Sequence, residues 1–398
     1  MIAHLVIVLF AVGLLSLVIE LVTHTAVSSV RRRTPSGRAR FPISVLKPLK
    51  GDSRELFDNL ASFARQDYPA FELVLGCEDA SDPALATAHR LKAAFPEVPI
   101  TVVAGGRPIG QNPKVNNLKQ LSRAARHEHW LISDADVRVG PGYLRAIAAE
   151  MADPEVGLVS SVIAGVAEST LGASLDNLHL NTVITRSVCG ADVLAAHACV
   201  IGKSMLFRRA DFERLGGWAV AKDVLAEDYV LGRAFQAAGH RVALSPYVIH
   251  SVNPDRTVRD FAARHVRWGQ MRRHLAPRLY VGEPLLLPSV WFLAALALER
   301  LARYMPGGVA SAVVWSSVLG LVLHVASDAV LVFRLRGRLL AAKDWVLVPL
   351  RDVIIFGVWL VALFRSTVSW RGNTFAIGAG SVLRPVHVRA PTLPAVEL

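Results

Sequence analysis

Three acidic clusters occur in the polar middle of the chain: Glu78-Asp79-Ala80-Ser81-Asp82, Asp134-Ala135-Asp136 and Glu227-Asp228, each following or closing an apolar run. Carboxylates can serve three tasks in transfer from a nucleotide-bound donor: contacting base and ribose, holding a cation on the diphosphate, and taking the proton of an acceptor hydroxyl. An Asp-x-Asp that ends a strand aims both side chains one way, because residues two apart on a strand share a face. Such hard oxygen ligands suit Mg2+ or Mn2+ bridging phosphates, and the ion would assist departure of the diphosphate as a Lewis acid. Taken alone, Asp134 and Asp136 read better as solvated turn residues ahead of a helix start at Pro141-Gly142. Asp79 alone is a weaker signal still, and Asp82 is expected to cap a helix beginning near Pro83. Asp228 has two readings, a first-turn carboxylate of a helix over 229–238 that ends at Gly239, or a general base. It is the combination that argues for chemistry.

A fourth element is Arg264-His265-Val266-Arg267-Trp268, where Arg264, Arg267 and Trp268 share a helix face at i, i+3 and i+4. Arginine forks suit diphosphate oxygens, and an indole can wall an acceptor channel. The competing reading is a juxtamembrane basic helix with an aromatic anchor, which Arg272 and Arg273 support. Lys114 reads as a donor-holding cation or as a solvated loop lysine. His250 reads as a metal contact or, more commonly for a lone histidine, as structural.

The elements that must position these groups alternate along residues 41–283. Short apolar runs predict strands over 43–49, 71–76, 100–103, 130–133 and 156–162. Three- and four-residue apolar spacing predicts helices over 55–66, 84–94, 115–126 and 143–151. The alternation predicts an α/β domain with a mainly parallel sheet, whose ligands gather beyond the carboxyl ends of the strands.

A chain of 398 residues with 53% hydrophobic content and a mean hydropathy of +0.39 is too apolar to be soluble throughout. The apolar run 2–22 has the length of a membrane span and lacks a small-residue cleavage site, so a retained N-terminal anchor is expected within residues 1–30, with Glu20 snorkelling near its end. Five arginines over 31–40 then predict that the following domain is cytoplasmic. Membrane topology also accounts for the net charge of +12 without a nucleic-acid partner. Three cysteines without CxxC spacing indicate neither a disulfide framework nor a structural zinc site. Residues 284–370 form a C-terminal membrane region. Stretches 284–301 and 308–333 make a hairpin about a Tyr304-Met305-Pro306 turn, and 345–364 is interrupted by Pro349, Arg351 and Asp352, leaving a run too short to span alone. Residues 371–398 are expected as a tail. About three to four apolar segments are too few for the secretion channel of a processive polysaccharide synthase.

Read in order, the elements resemble the Asp, Asp, Asp, (Q/R)xxRW series of inverting family 2-like glycosyltransferases, and more closely the ceramide glucosyltransferases of family 21. The closer resemblance rests on Val45-Leu46-Lys47-Pro48-Leu49-Lys50-Gly51, Gln66-Asp67-Tyr68-Pro69, Asn112-Pro113-Lys114-Val115-Asn116-Asn117-Leu118, Gly202-Lys203-Ser204-Met205 with Arg208, and Ala226-Glu227-Asp228-Tyr229. It implies a GT-A catalytic domain with Asp79 near the nucleotide, and Asp134 and Asp136 at ribose, diphosphate and a divalent cation, Mg2+ or Mn2+. It further implies Asp228 as catalytic base, with Arg264, Arg267 and Trp268 completing the site. The implied reaction moves a hexose, glucose from UDP-glucose, onto the hydroxyl of a membrane lipid, ceramide, in a multi-pass membrane protein of the bacterial inner membrane type. The complete Asp-Ala-Asp departs from the animal members, whose second motif is shortened. That keeps a hopanoid or another lipid open as acceptor, and a non-catalytic nucleotide-sugar-binding membrane protein as the reading from another class.

Overall fold

The computed structural model describes residues 2–35, 37, 39–197, 199–302, 307–370 and 373–386. Eight strands form one sheet in the order β3-β2-β1-β4-β7-β6-β8-β5. They are β1 (Ile43–Leu49), β2 (Phe71–Cys77), β3 (Ile100–Ala104), β4 (His129–Ile132), β5 (Val137–Arg138), β6 (Val156–Val166), β7 (Met205–Arg208) and β8 (Arg241–Val252). β1 to β4 run parallel, and β6 is parallel to β8. β7 lies antiparallel between β4 and β6, and β5 antiparallel on β8. β1 is buried at all seven positions, as a central strand covered on both faces must be. Its Ile43, Val45 and Leu49 join Leu60, Phe63 and Leu144 in one core, while Leu46 packs with Val115, Leu118 and Phe207 on the opposite face.

The expected strands and helices recur at these places within one to four residues, and the helices Ala84–Ala94 and Tyr143–Met151 have the predicted limits. The helix expected over 115–126 spans Pro113–Ala124. Asn112 caps it by accepting the N–H groups of Lys114 (2.9 Å) and Val115 (3.1 Å), and Pro113 occupies the first turn, where its missing N–H is harmless. Unforeseen is the stretch from Leu171 to Ala195, two α-helices joined by the π-turn Leu180–Ile184.

Among the described residues, three helices are long and apolar enough to cross a membrane: Ile2–Arg31, Gly308–Arg336 and Leu347–Phe364. The last corrects the expectation of an interrupted, too-short run. Pro349 lies in its first turn, which tolerates proline, and 18 residues extend about 27 Å at 1.5 Å each. Arg351 and Asp352 do not break the helix because both are buried and paired: Arg351 bonds Asp328 (2.9 Å) and Asp352 (2.7 Å), and His324 bonds Asp352 (3.0 Å). Glu20 likewise does not snorkel. It is buried mid-helix against Arg186 (2.9 Å) and His324, and Arg186 also bonds Asp328. These pairs tie the apolar helices to the helix Thr185–Ala195. Among the described residues, Glu20, His324 and Asp328 are the one group of three spaced to hold a metal, and the two arginines already neutralise it. The stretch expected over 284–301 is part of a helix pair, Pro277–Leu286 and Pro288–Arg300, bent by 61° around Leu287. The following Tyr304-Met305-Pro306 turn lies outside the described residues. Residues expected as a tail supply strands Asn373–Ile377 and Leu383–Pro385, which join Thr367–Trp370 in a three-stranded sheet.

Candidate active site

Asp134, Asp136, Glu227 and Asp228 converge from different segments on two buried lysines. Lys114, in the first turn of the helix Pro113–Ala124, places Nζ 2.7 Å from Asp134 Oδ1 and 2.8 Å from Glu227 Oε1. Lys203, in the loop before β7, places Nζ 2.5 and 2.7 Å from the two oxygens of Asp136 and 3.8 Å from Asp134 Oδ2. The Asp-x-Asp pair thus faces one cation, although not for the reason given by strand alternation. β4 ends at Ile132, and Asp134 to Asp136 form a turn that feeds β5. A third lysine, Lys47 of β1, is fully buried over the Phe63 ring and donates to the Asp134 carbonyl (2.8 Å). Burial lowers its pKa to about 7 against the pull of Asp134 and Asp136. Lys203 and Lys47 were not singled out by the sequence reading, although both lie inside the strings that carried the resemblance, whereas Glu227 belongs to the third acidic cluster.

Asp228 opens the helix Glu227–Ala237 and accepts the N–H groups of Gly202 (2.6 Å) and Tyr229 (2.8 Å). Burial and then the Glu227 charge push its carboxyl up to about 7, against Lys114 and those two N–H donors. Burial opposes the charge on Lys114, but Asp134, Glu227 and Asp228 outweigh it and hold the ammonium firmly protonated. Gly202 leaves room for this cluster, since a Cβ would lie 2.6 Å from Lys114 Nζ and 3.2 Å from Asp228 Oδ2. Asp228 does not cap the helix in the usual way, for its side chain reaches no N–H beyond Tyr229 in its own helix.

Asp79 lies in the exposed turn after β2 and accepts from the Ser81 N–H and hydroxyl, each at 2.8 Å; those bonds lower its pKa. Asp82 accepts the N–H of Ala84 (2.9 Å) as the expected cap and also that of Gly51 (2.9 Å). His250 does not join the acidic group. Its neighbour Ser251 faces Asp136 (3.5 Å), so the strand alternation turns His250 to the other side of β8.

The helix Val258–Leu275 carries Arg264, Arg267 and Trp268, and it begins with a reciprocal capping box between Thr257 and Asp260. Arg264 lies 4.4 Å from the Trp268 ring centre, so these two do share a face. Its guanidinium is engaged by Asp176 (2.7 Å), which also accepts from Arg256 (3.0 Å) and His265 Nε2 (2.8 Å). Burial alone would raise the Asp176 pKa, but Arg264 and His265 hold it far below the usual carboxylate range. Burial lowers His265 to about 4, so the neutral ring donates its Nε2–H. Asp176 and Arg256 are site components that sequence reasoning missed. Asp176 sits within the unforeseen helix, and the charges of Asp176 and Asp136 both act on Arg256, linking the two halves of the site. Thr257→Ala should lower stability by about 1 kcal/mol through loss of the cap. The melting temperature of the purified protein should fall by a few degrees, whereas Thr257→Ser should restore it.

The family model for glycosyl transferase family 21 matches residues 8–383. The chain is 25% identical over 348 residues to ceramide glucosyltransferase 3 of Caenorhabditis elegans, spanning 86% of this chain and 74% of that protein. It is 26% identical over 347 residues to ceramide glucosyltransferase 1 of the same organism, spanning 86% and 73%. Among solved structures, the mannosyltransferase PcManGT from Pyrobaculum calidifontis in complex with GDP-Man and Mn2+ matches with a TM-score of 0.57 at 18% identity, over 92% of this chain and 99% of that one. At that identity the likeness speaks for the fold, which is of the expected GT-A type.

Proposed function

The chain belongs to glycosyl transferase family 21 and is a glycosyltransferase; from that premise we propose that it moves glucose from UDP-glucose onto the primary hydroxyl of a membrane lipid, ceramide, in a single inverting displacement. The observation that carries this reading is the convergence of Asp134, Glu227 and Asp228 around Lys114 at the carboxyl ends of the strands. Asp228 is the base: it takes the acceptor proton as the hydroxyl attacks the anomeric carbon and the nucleoside diphosphate leaves. A carboxyl held near pH 7 is suited to this, because it is ionised yet basic at the working pH. Lys114 and Lys203 supply positive charge for the diphosphate, and Asp79 lies on the nucleotide side. Arg264, Arg267 and Trp268 form the acceptor side, with Arg264 held by Asp176.

Asp134 and Asp136 fit a divalent cation. Both are carboxylates with about a third of the side chain exposed (30% and 31%), and their present partners are flexible ammonium groups that can move aside. Mg2+ or Mn2+ held there supplies Lewis-acid stabilisation of the leaving diphosphate. PcManGT, solved with GDP-Man and Mn2+, supports a nucleotide-sugar and metal site on this fold.

Mass spectrometry of lipids from a host expressing the chain tests the substrate assignment. A new hexosylceramide, absent with Asp228→Asn, is the expected result; a glycosylated hopanoid or diacylglycerol instead would replace ceramide as the acceptor. The three apolar helices support membrane association, and the arginines after the first one support a cytoplasmic catalytic domain. Protease added outside intact cells should leave that domain whole, and cleavage within residues 41–283 would overturn the orientation.

A further inference from the structure

The last described residues lie against the segment that delivers the base. The loop over residues 222–226 enters Glu227-Asp228, and its two sides are held by different parts of the chain. On one side, Gln111 and Asn112 donate their N–H groups to Asp223 Oδ1 (2.9 Å) and the Lys222 carbonyl (2.8 Å). On the other side lies the three-stranded sheet. Leu383 donates to the Asp223 carbonyl (2.8 Å), Val382 forms a β-bridge with Val224, and the Ser381 carbonyl accepts from Leu225 (2.9 Å). The Ser381 hydroxyl accepts from Ala226 N–H (3.3 Å), the residue immediately before Glu227.

The same sheet grips the helix that carries Arg264, Arg267 and Trp268. Gln270 Nε2 donates to the carbonyls of Arg365 (2.8 Å) and Thr367 (2.9 Å), and Met271 packs on the Leu225, Val368, Phe375, Ile377 and Leu383 cluster. One small sheet therefore touches both the base loop and the Arg/Trp helix. Its contact residue is unusual. Ser381 is fully buried and adopts a left-handed backbone (φ 58°) directly after Gly380 (φ 67°), a conformation disfavoured for a residue with a Cβ and kept here by the bonds it makes to the loop.

We propose that this C-terminal sheet is a latch that holds the base and the acceptor-side helix in register, with Ser381 as a positioning residue for Asp228. The latch acts on the rate of transfer more than on donor binding, because its hydrogen bonds reach the loop from the side opposite Asn112 and end at Ala226, the residue before Glu227-Asp228. The inference rests on Asp228 being the base.

The test uses the full-length enzyme with Ser381→Ala and Ser381→Gly. Both remove the hydroxyl that accepts from Ala226, and glycine in addition adopts the left-handed backbone without strain. In both variants kcat should fall by about five- to tenfold, as expected when a catalytic group is displaced by a fraction of an ångström. Donor Kd by calorimetry should stay within about twofold of the parent, and the melting temperature of the glycine variant should stay close to it. Parental kcat in both variants would overturn the proposal. So would a loss of kcat in alanine alone, which would assign the effect to backbone strain, or a parallel loss of donor affinity and melting temperature, which would make the sheet merely structural. Asp228→Asn measured alongside separates the premise. If it retains turnover, the base assignment fails and the role of Ser381 as a positioning residue for Asp228 falls with it; if it loses turnover while the Ser381 variants keep theirs, the base assignment stands and the latch fails.

Discussion

Asp228→Asn is expected to lower turnover by ~10²-fold or more while leaving donor affinity at the parental value. The substitution preserves size but leaves one side-chain oxygen for two N–H groups, Gly202 on Oδ2 and Tyr229 on Oδ1, so one of these bonds is lost while the backbone hydrogen bonds of the helix remain. It removes the one property that a base needs. The carboxyl stands at about 7 because burial and Glu227 disfavour its charge, so the ionised fraction rises with pH through that region. The rate of the parent enzyme should therefore climb from pH 6 to pH 8 with a midpoint near 7, and the variant's small residual rate should lack that limb. An Asp228→Asn enzyme within a few-fold of the parent would sink the assignment and make Glu227, bonded to Lys114, the next base to test.

Chelation should have the second large effect. Several kcal/mol of Lewis-acid stabilisation corresponds to roughly 10²-fold or more in rate, so activity should collapse in excess chelator and return with Mg2+ or Mn2+. Asp136→Asn should weaken Mn2+ binding directly, as read by paramagnetic resonance or calorimetry in the absence of donor. Lys203 gives the experiment a further control, because its ammonium bonds both Asp136 oxygens. Full activity after rigorous chelation, with no response to added metal, would leave the charge of the diphosphate to side chains such as Lys114 and Lys203 and remove the metal from the reaction.

The sequence by itself determined the features that short-range chemistry controls. Short apolar runs and period-3.6 apolar patterns located the first strands and helices, because β1 is buried on both faces and a helix such as Tyr143–Met151 needs one apolar side. The length of the first apolar run marked a helix long and apolar enough to cross a membrane, and the ordered acidic and Arg-x-x-Arg-Trp strings pointed to the glycosyltransferase family. Only the tertiary structure decided who answers each charge. Lys114 reads in the sequence as a donor-holding cation or a solvated loop lysine, and the tertiary structure buries it among Asp134, Glu227 and Asp228. Asp176, without any motif of its own, becomes the common acceptor of Arg256, Arg264 and His265. Arg351 and Asp352 looked like a break in an apolar run because local hydropathy counts a charge as exposed, whereas Asp328 and His324 from the neighbouring helix neutralise both. The C-terminal strands were invisible for the same reason: their stability comes from Leu225, Asp223 and Met271, more than a hundred residues earlier in the chain, and no local pattern can report a partner that distant.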